Sequence, residues 1–208
     1  MPQGIEERIR GQSFVMKAGA RIALFGGTFD PVHEGHLHIA RLAHQQAALD
    51  SVLFLPCQQS PHKTAPTQAS AEDRLAMLRL AVTEPWMQVE DWEITQPPPS
   101  YSYQTLQHFL ALAPDAEWFW LMGHDQWQAL PRWKHPEILA EHLTFLVFTR
   151  GETPQAREGY RMMHLQGEHP ASASALRDPL DPHYLDANWL PQPVRSWIQQ
   201  KGLYSDAT

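Results

Sequence analysis

A short run, Arg21 to Phe25 (RIALF), that ends on Gly26 and Gly27 most narrows the folds open to this chain. Too brief for a buried helix, it reads as a buried strand closed by a tight turn. From Gly35 onward Leu37, Ile39, Ala40, Leu42 and Ala43 recur at near-helical spacing, and the pattern fades near Leu49. The alternation then repeats. Ser51 to Leu55 is a second strand stopped by Pro56, and Asp73 to Thr83 a helix with Leu75, Leu78, Leu80 and Ala81 apolar. Met87 to Ile94 is predicted as a strand, and Pro97, Pro98 and Pro99 break the chain before a helix from about Tyr103 to Leu112. Glu117 to Met122 (EWFWLM), stopped by Gly123, is another strand, followed by His142 to Thr149 and a weaker one at Tyr160 to Leu165. A closing helix covers Pro191 to Lys201, with Pro193 in its first turn and Gly202 as its stop. Strands alternating with helices imply right-handed crossovers and a mainly parallel sheet covered on both faces. Such sheets take their ligands beyond the carboxyl ends of the strands, at the switch point.

With 208 residues, 43% of them hydrophobic, the chain can bury one sizeable core and is short for two. The expected division is an extension over residues 1–20, one domain over 21–204 and a tail over 205–208. The extension is polar and weakly patterned, and Met16, just ahead of the first strand, is an alternative start. A formal net charge of -7 argues against a basic surface for nucleic acid or anionic membrane. No apolar run approaches the roughly 20 residues of a membrane span, and no secretory signal stands at the N-terminus. The single cysteine, Cys57, excludes an internal disulfide and a Cys-based zinc site. A cytoplasmic location is therefore expected. Oligomeric state, monomer or homodimer, is not legible.

The densest chemistry lies at Gly26 to His36, GGTFDPVHEGH, where the first strand hands over to the first helix. Paired glycines allow close backbone approach to a ligand, and N–H groups at a helix start attract phosphate oxygens. His33 and His36 stand about one turn apart near that start, so two imidazoles can face one phosphate. A purely structural pair is the bland reading. A zinc site is weak, because metalloprotease histidines need HExxH spacing and this is HEGH. Residues 57 to 70, rich in Gln, Pro, Thr and Ser, are too long and polar for a minimal connection and read as a functional loop. Asp30, beside Pro31, reads as a residue that shapes its turn rather than a metal ligand.

This stretch resembles the GGTFDPxHxGH signature of bacterial nicotinate-nucleotide adenylyltransferases, within the HxGH nucleotidyltransferase superfamily. Ser60-Pro61-His62-Lys63 resembles the family's PPHK loop, Ser100-Tyr101-Ser102 with Thr105-Leu106 its SYT…TL segment, and Met122-Gly123-His124-Asp125 its IGxD turn. Trp133 stands where the family places a tryptophan, and Leu190 to Tyr204 resembles the closing helix. Two segments depart. Ala171 to Arg177 (ASASALR) stands where the family carries ISSTxIR, keeping hydroxyls at Ser172 and Ser174 and the arginine; Cys57-Gln58 stands where asparagine is frequent.

The resemblance implies an α/β fold: a Rossmann-like, doubly wound, mainly parallel sheet with helices on both faces, in a single domain. It implies adenylyl transfer from ATP to nicotinic acid mononucleotide, without a covalent enzyme intermediate. His33, His36, Lys63 and Arg177 would be the catalytic donors, with Lys63 and Arg177 on the departing pyrophosphate. Gly26, Gly27, Thr28, Phe29, Gly123, Asp125, Ser172 and Ser174 would hold ATP, and Tyr101, Ser102, Trp133, Lys134 and Arg150 the acceptor. Mg2+ is expected to arrive on the ATP phosphates, with no dedicated protein cage. The alternatives are a nucleotidyltransferase for nicotinamide mononucleotide, pantetheine phosphate or a cytidylyl donor, and a non-catalytic nucleotide-binding relative. A short aminoacyl-tRNA synthetase relative is disfavoured, since no KMSKS-like loop is present.

Overall fold

The computed structural model describes residues 19–62, 65–181 and 183–205. Most of the expected extension, all but the first residue of the expected tail, and Lys63 lie outside the described residues. Six strands form one parallel sheet: β1 (Arg21–Gly27), β2 (Ser51–Pro56), β3 (Met87–Val89), β4 (Glu117–Gly123), β5 (Leu143–Thr149) and β6 (Arg161–Gln166), ordered β3-β2-β1-β4-β5-β6. The helices are α1 (Glu34–Gln46), α2 (Ala71–Ala81), α3 (Trp92–Thr95), α4 (Ser102–Leu112), α5 (His124–Ala129), α6 (Pro136–His142), α7 (Ala173–Arg177) and α8 (Gln192–Lys201). This is the doubly wound architecture that the alternation of apolar runs implied.

Side chains on successive strand residues point to opposite faces, so each central strand feeds two cores. Ala23, Phe25, Val52, Phe54, Phe119, Leu121, Leu146 and Phe148 pack on one face with residues of α1, α2 and α8. Ile22, Leu24, Leu53, Leu55, Trp118, Trp120, Met122, Phe145 and Val147 pack on the other with residues of α4, α5 and α6. Ala20 is buried as well, and its carbonyl accepts from the Glu117 N–H at 2.9 Å.

Two expectations are corrected. The strand predicted from Met87 to Ile94 stops at Val89. Its remainder turns into α3, where the Ile94 N–H donates to the Asp91 carbonyl at 3.0 Å and Asp91 pairs with Arg79 at 2.8 Å. That turn carries Glu93 into the interior, against the Thr105 hydroxyl on α4. The second correction is the pair α5 and α6 between β4 and β5, which the alternation did not reveal. Both are under eight residues, too short to display a periodic apolar stripe.

The order of strands reverses between β1 and β4, so the crevice at their carboxyl ends is the switch point. Gly26-Gly27 and Gly123 end those two strands. Leu53 has no exposed surface, and Leu53→Ala is expected to cost about 2–5 kcal/mol of folding stability. Urea unfolding followed by tryptophan fluorescence measures this; a loss under 1 kcal/mol would contradict the packing described.

Candidate active site

At the switch point a cavity of about 290 Å³ is lined by Gly26, Gly27, Thr28 and Phe29 from the β1 exit and by His36 from α1. Gly123 and Gln126 close it from the β4 side, and Cys57, Ser60, Pro61 and His62 from the loop after β2. Glu93, Ser100, Ser102, Trp120 and Trp133, with Phe25, Ile39 and Met122, complete the wall. A second cavity of about 370 Å³ adjoins it through Thr28 and Ser60 and runs along Gln58, Ala65, Pro66 and Thr67. The loop that sequence marked as functional thus borders both.

The glycines are small because rings occupy the space a side chain would need. A Cβ on Gly27 would lie 2.9 Å from the Phe29 ring, and one on Gly26 3.1 Å from Trp120. A Cβ on Gly35 would lie 2.9 Å from His33 Nδ1 and 3.2 Å from His169 Nδ1. The spacing HEGH therefore places a bare backbone beside the first imidazole. Phe29 itself sits at φ 50, a left-handed conformation that costs a non-glycine residue about 1–3 kcal/mol unless its surroundings impose it.

The two imidazoles are in contact, with ring centroids 3.7 Å apart and planes tilted by 30°. His36 Nδ1 accepts the His33 backbone N–H at 3.2 Å, so the neutral ring carries its proton on Nε2. His33 is buried, and burial first, then His36, His169 and Arg150, holds its pKa far below the usual imidazole range. It is a neutral group in the folded protein. The helix start contributes less than sequence suggested, because the Glu34 N–H donates to the Trp189 carbonyl at 2.8 Å and the His36 N–H to the His33 carbonyl at 2.9 Å.

A buried scaffold shapes the turn from Thr28 to His33. The Asp30 carboxylate accepts from Gln68 N–H at 2.9 Å, Ala69 N–H at 3.2 Å and the Tyr204 hydroxyl at 2.7 Å. Arg177 donates to the Asp30 carbonyl. Arg74, fully buried, donates to the Thr28 carbonyl at 2.7 Å and the Gln58 carbonyl at 3.2 Å. Asp30 is thus a turn-shaping residue, as the sequence indicated, and its partners come from far along the chain. Sequence reasoning missed Arg74; its charge on the buried side of α2, with Met77, Leu78 and Ala81, is the signal that could have marked it. Nothing in the sequence pairs Tyr204 with Asp30.

The remaining sequence-predicted residues divide. Gly26, Gly27, Thr28, Phe29, His36, Ser102, Gly123 and Trp133 meet in the cavity wall. Trp133 stacks against His62 with centroids 5.4 Å apart and meets Trp120 edge-on at 6.1 Å. Lys134 Nζ lies 4.4 Å from the Tyr101 ring centre, beside the cavity rather than in its wall. Arg150 is exposed and donates to the Ala171 carbonyl at 3.2 Å. Ser172 is the residue before α7, Ser174 is exposed within it, and Asp125 is exposed in the first turn of α5. His33 and Arg177 stand behind the wall, and Lys63 lies outside the described residues.

Glu93 is the acid that sequence reasoning missed. Its carboxyl is pushed up to about 7 by burial, against the opposing effect of hydrogen bonds from Thr105, at 2.7 Å, and Ser100. Among the described residues no group of three or more His, Cys, Asp or Glu is placed to hold a metal ion. No helix of the described residues is long and apolar enough to cross a membrane.

The cytidylyltransferase-like family model matches residues 24–179, which places this imidazole-lined crevice in a nucleotidyltransferase. A curated relative from Methylacidiphilum infernorum (isolate V4), named "Probable nicotinate-nucleotide adenylyltransferase", is 36% identical over 188 residues, covering 88% of this chain and 92% of its own. One of the same name from Bacillus cytotoxicus is 37% identical over 187 residues, covering 88% and 98%. The chain belongs to the nicotinate-nucleotide adenylyltransferase family. In fold it is similar to the Plasmodium falciparum nicotinic acid mononucleotide adenylyltransferase complexed with NaAD, at TM-score 0.70 and 16% identity over 89% of this chain and 97% of that one.

His33 and Glu93 give opposite pH dependences. Folding lowers the His33 pKa below 6.5, so the unfolded chain takes the extra proton and stability falls as pH drops below 6.5. Folding raises Glu93 from 4.5 to about 7, so its stabilisation is full below pH 4.5 and disappears as pH rises to about 7. Each contributes at most about 1.4 kcal/mol per pH unit between these limits. Relative to the unaltered protein, Glu93→Gln is expected to lose stability more steeply on acidification from pH 6.5 to 4.5, and His33→Asn less steeply. Urea titrations across that range test the signs; parallel curves for all three proteins would refute them.

Proposed function

We propose that this chain transfers the adenylyl group of ATP to nicotinic acid mononucleotide, giving nicotinic acid adenine dinucleotide and pyrophosphate, a step of NAD biosynthesis. The observation that carries the reading is the His36 ring in the wall of the switch-point cavity, beside Gly26, Gly27, Thr28 and Gly123. The names of the curated relatives, and the NaAD complex of the Plasmodium protein, support the choice of acceptor.

A phosphate oxygen of the acceptor forms a bond to the α-phosphorus of ATP while the bond from that phosphorus to the bridging oxygen breaks. Pyrophosphate leaves with the bonding pair. Negative charge grows on oxygens already crowded with it, so catalysis is positioning and donation rather than covalent chemistry. In this reading His36 donates from Nε2 to the α-phosphate, and His33 acts as a neutral partner that orients it. Lys63 and Arg177 neutralise pyrophosphate. Gly26 to Phe29, Gly123, Asp125, Ser172 and Ser174 serve ATP. The acceptor is assigned to the Trp133 side, where Ser102 lines the same cavity, with Tyr101, Lys134 and Arg150 as its further contacts in this reading.

Nucleotidyltransferases generally use a divalent ion with ATP, and we assign Mg2+ here. Among the described residues the cavity wall carries one acid, Glu93, whose raised pKa makes it a poor ligand at neutral pH. That donor set fits an ion held by substrate phosphates and water. A cytoplasmic enzyme is part of the same reading, supported by a chain with one, buried cysteine.

His36→Ala is expected to lower kcat about 100-fold to 1000-fold. Pyrophosphate release, measured with nicotinic acid mononucleotide beside the nicotinamide form and phosphopantetheine, tests both residue and acceptor. Turnover within a few-fold of the parent would remove His36 from the chemistry. Product from phosphopantetheine alone would replace the acceptor.

A further inference from the structure

The C-terminal segment reaches back to the phosphate turn. Gly202, at φ 61, ends α8 in a left-handed cap, and the Leu203 N–H donates to the Ile198 carbonyl at 3.0 Å, which reverses the chain. Tyr204 then enters the core with 8% of its surface exposed. Its hydroxyl donates to Asp30 at 2.7 Å, and its carbonyl accepts from the Tyr184 hydroxyl at 2.8 Å.

Both ends of the phenol–carboxylate bond sit beside unusual backbone. Tyr204 has φ 64, and Phe29, next to Asp30, has φ 50. Non-glycine residues hold such conformations only where the surroundings impose them. The same carboxylate clasps the N–H groups of Gln68 and Ala69, the residues that lead into α2, and α2 is tied to α8 where Trp197 Nε1 donates to Asp73 at 3.2 Å. Burial and the Asp30 carboxylate push the Tyr204 phenol up, so it remains a donor. A closed circuit results, running from the turn 28–33 through Asp30 to 68–69, α2, α8 and back through Tyr204.

We propose that Tyr204 is a positioning residue: through the Asp30 carboxylate it docks the C-terminal segment and holds residues 28–33 and 68–69 in the shape that binds the ATP polyphosphate. The inference rests on the ATP-dependent reading above, but it is testable without turnover. Tyr204→Phe keeps the ring and removes only the donor. Hydrogen exchange of the full chain is expected to quicken in peptides covering 28–33 and 68–70, with the strands unchanged. Affinity for a non-hydrolysable ATP analogue, measured by calorimetry well below the melting temperature, is expected to fall roughly 10-fold, the scale of one buried hydrogen bond to a charged group. In transfer assays the loss should appear in KM for ATP more than in kcat. Asp30→Asn should mimic it, and the double variant should lose little more than either single one. Exchange that rises only within 200–205, with ATP affinity kept within twofold, would overturn the proposal. A parent that binds the analogue but releases no pyrophosphate would instead overturn the assigned reaction and leave the Tyr204 result standing on affinity and exchange.

Discussion

The buried Asp30 carboxylate is the interaction on which the site's geometry depends. A turn that leaves an imidazole and bare backbone in a cavity wall cannot be held by a helix or sheet ladder, because those satisfy their own donors and acceptors. It has to be held from outside. Asp30 supplies one anion to three donors, two from the entrance to α2 and one from the C-terminal segment. Arg177 and Arg74 grip the carbonyls of Asp30 and Thr28. Leaving such a carboxylate with missing partners in a buried position costs more than any single bond contributes, so the cluster behaves as a unit.

The electrostatics of the crevice follow from crowding. Two rings 3.7 Å apart cannot both be protonated without strong repulsion, and burial decides which one stays neutral. A neutral His33 therefore contributes shape rather than charge to the turn. Glu93, with a pKa of about 7, puts less negative charge into the cavity wall near neutral pH than an ordinary glutamate would.

Much of the fold was legible because its signals are local. RIALF, EWFWLM and the run ending at Thr149 are buried on both faces, and parallel strands of that kind leave few alternatives. Boundaries failed where a short element was decided by distant contacts. Val89 ends β3 because the following residues must turn Glu93 towards Thr105, and α5 and α6 are shorter than the window in which periodicity can be read. The site divided in the same way. His36, Gly26, Gly27 and Gly123 lie in one motif or at strand ends, where spacing fixes position. Tyr204 and Arg74 reach the turn over residues 28–33 from 174 and 46 positions away. No pattern in one sequence encodes those separations.

The glycines show how a motif can be read correctly and for an incomplete reason. Their bare backbone was expected to admit a ligand, and Gly26 and Gly27 do line the cavity. Yet the space beside each is filled by a ring of the protein itself: Phe29 against Gly27, Trp120 against Gly26 and His33 against Gly35. A side chain at any of the three would first displace an aromatic group and only then, through it, disturb the ligand. Phe29 transmits such a shift directly, since it packs edge-on against His36 with centroids 5.0 Å apart. The small residues and the His36 imidazole are therefore parts of one packed layer. The motif GGTFDPVHEGH is contiguous because the layer is, with each glycine adjacent in space to a ring supplied two residues away or by the neighbouring strand.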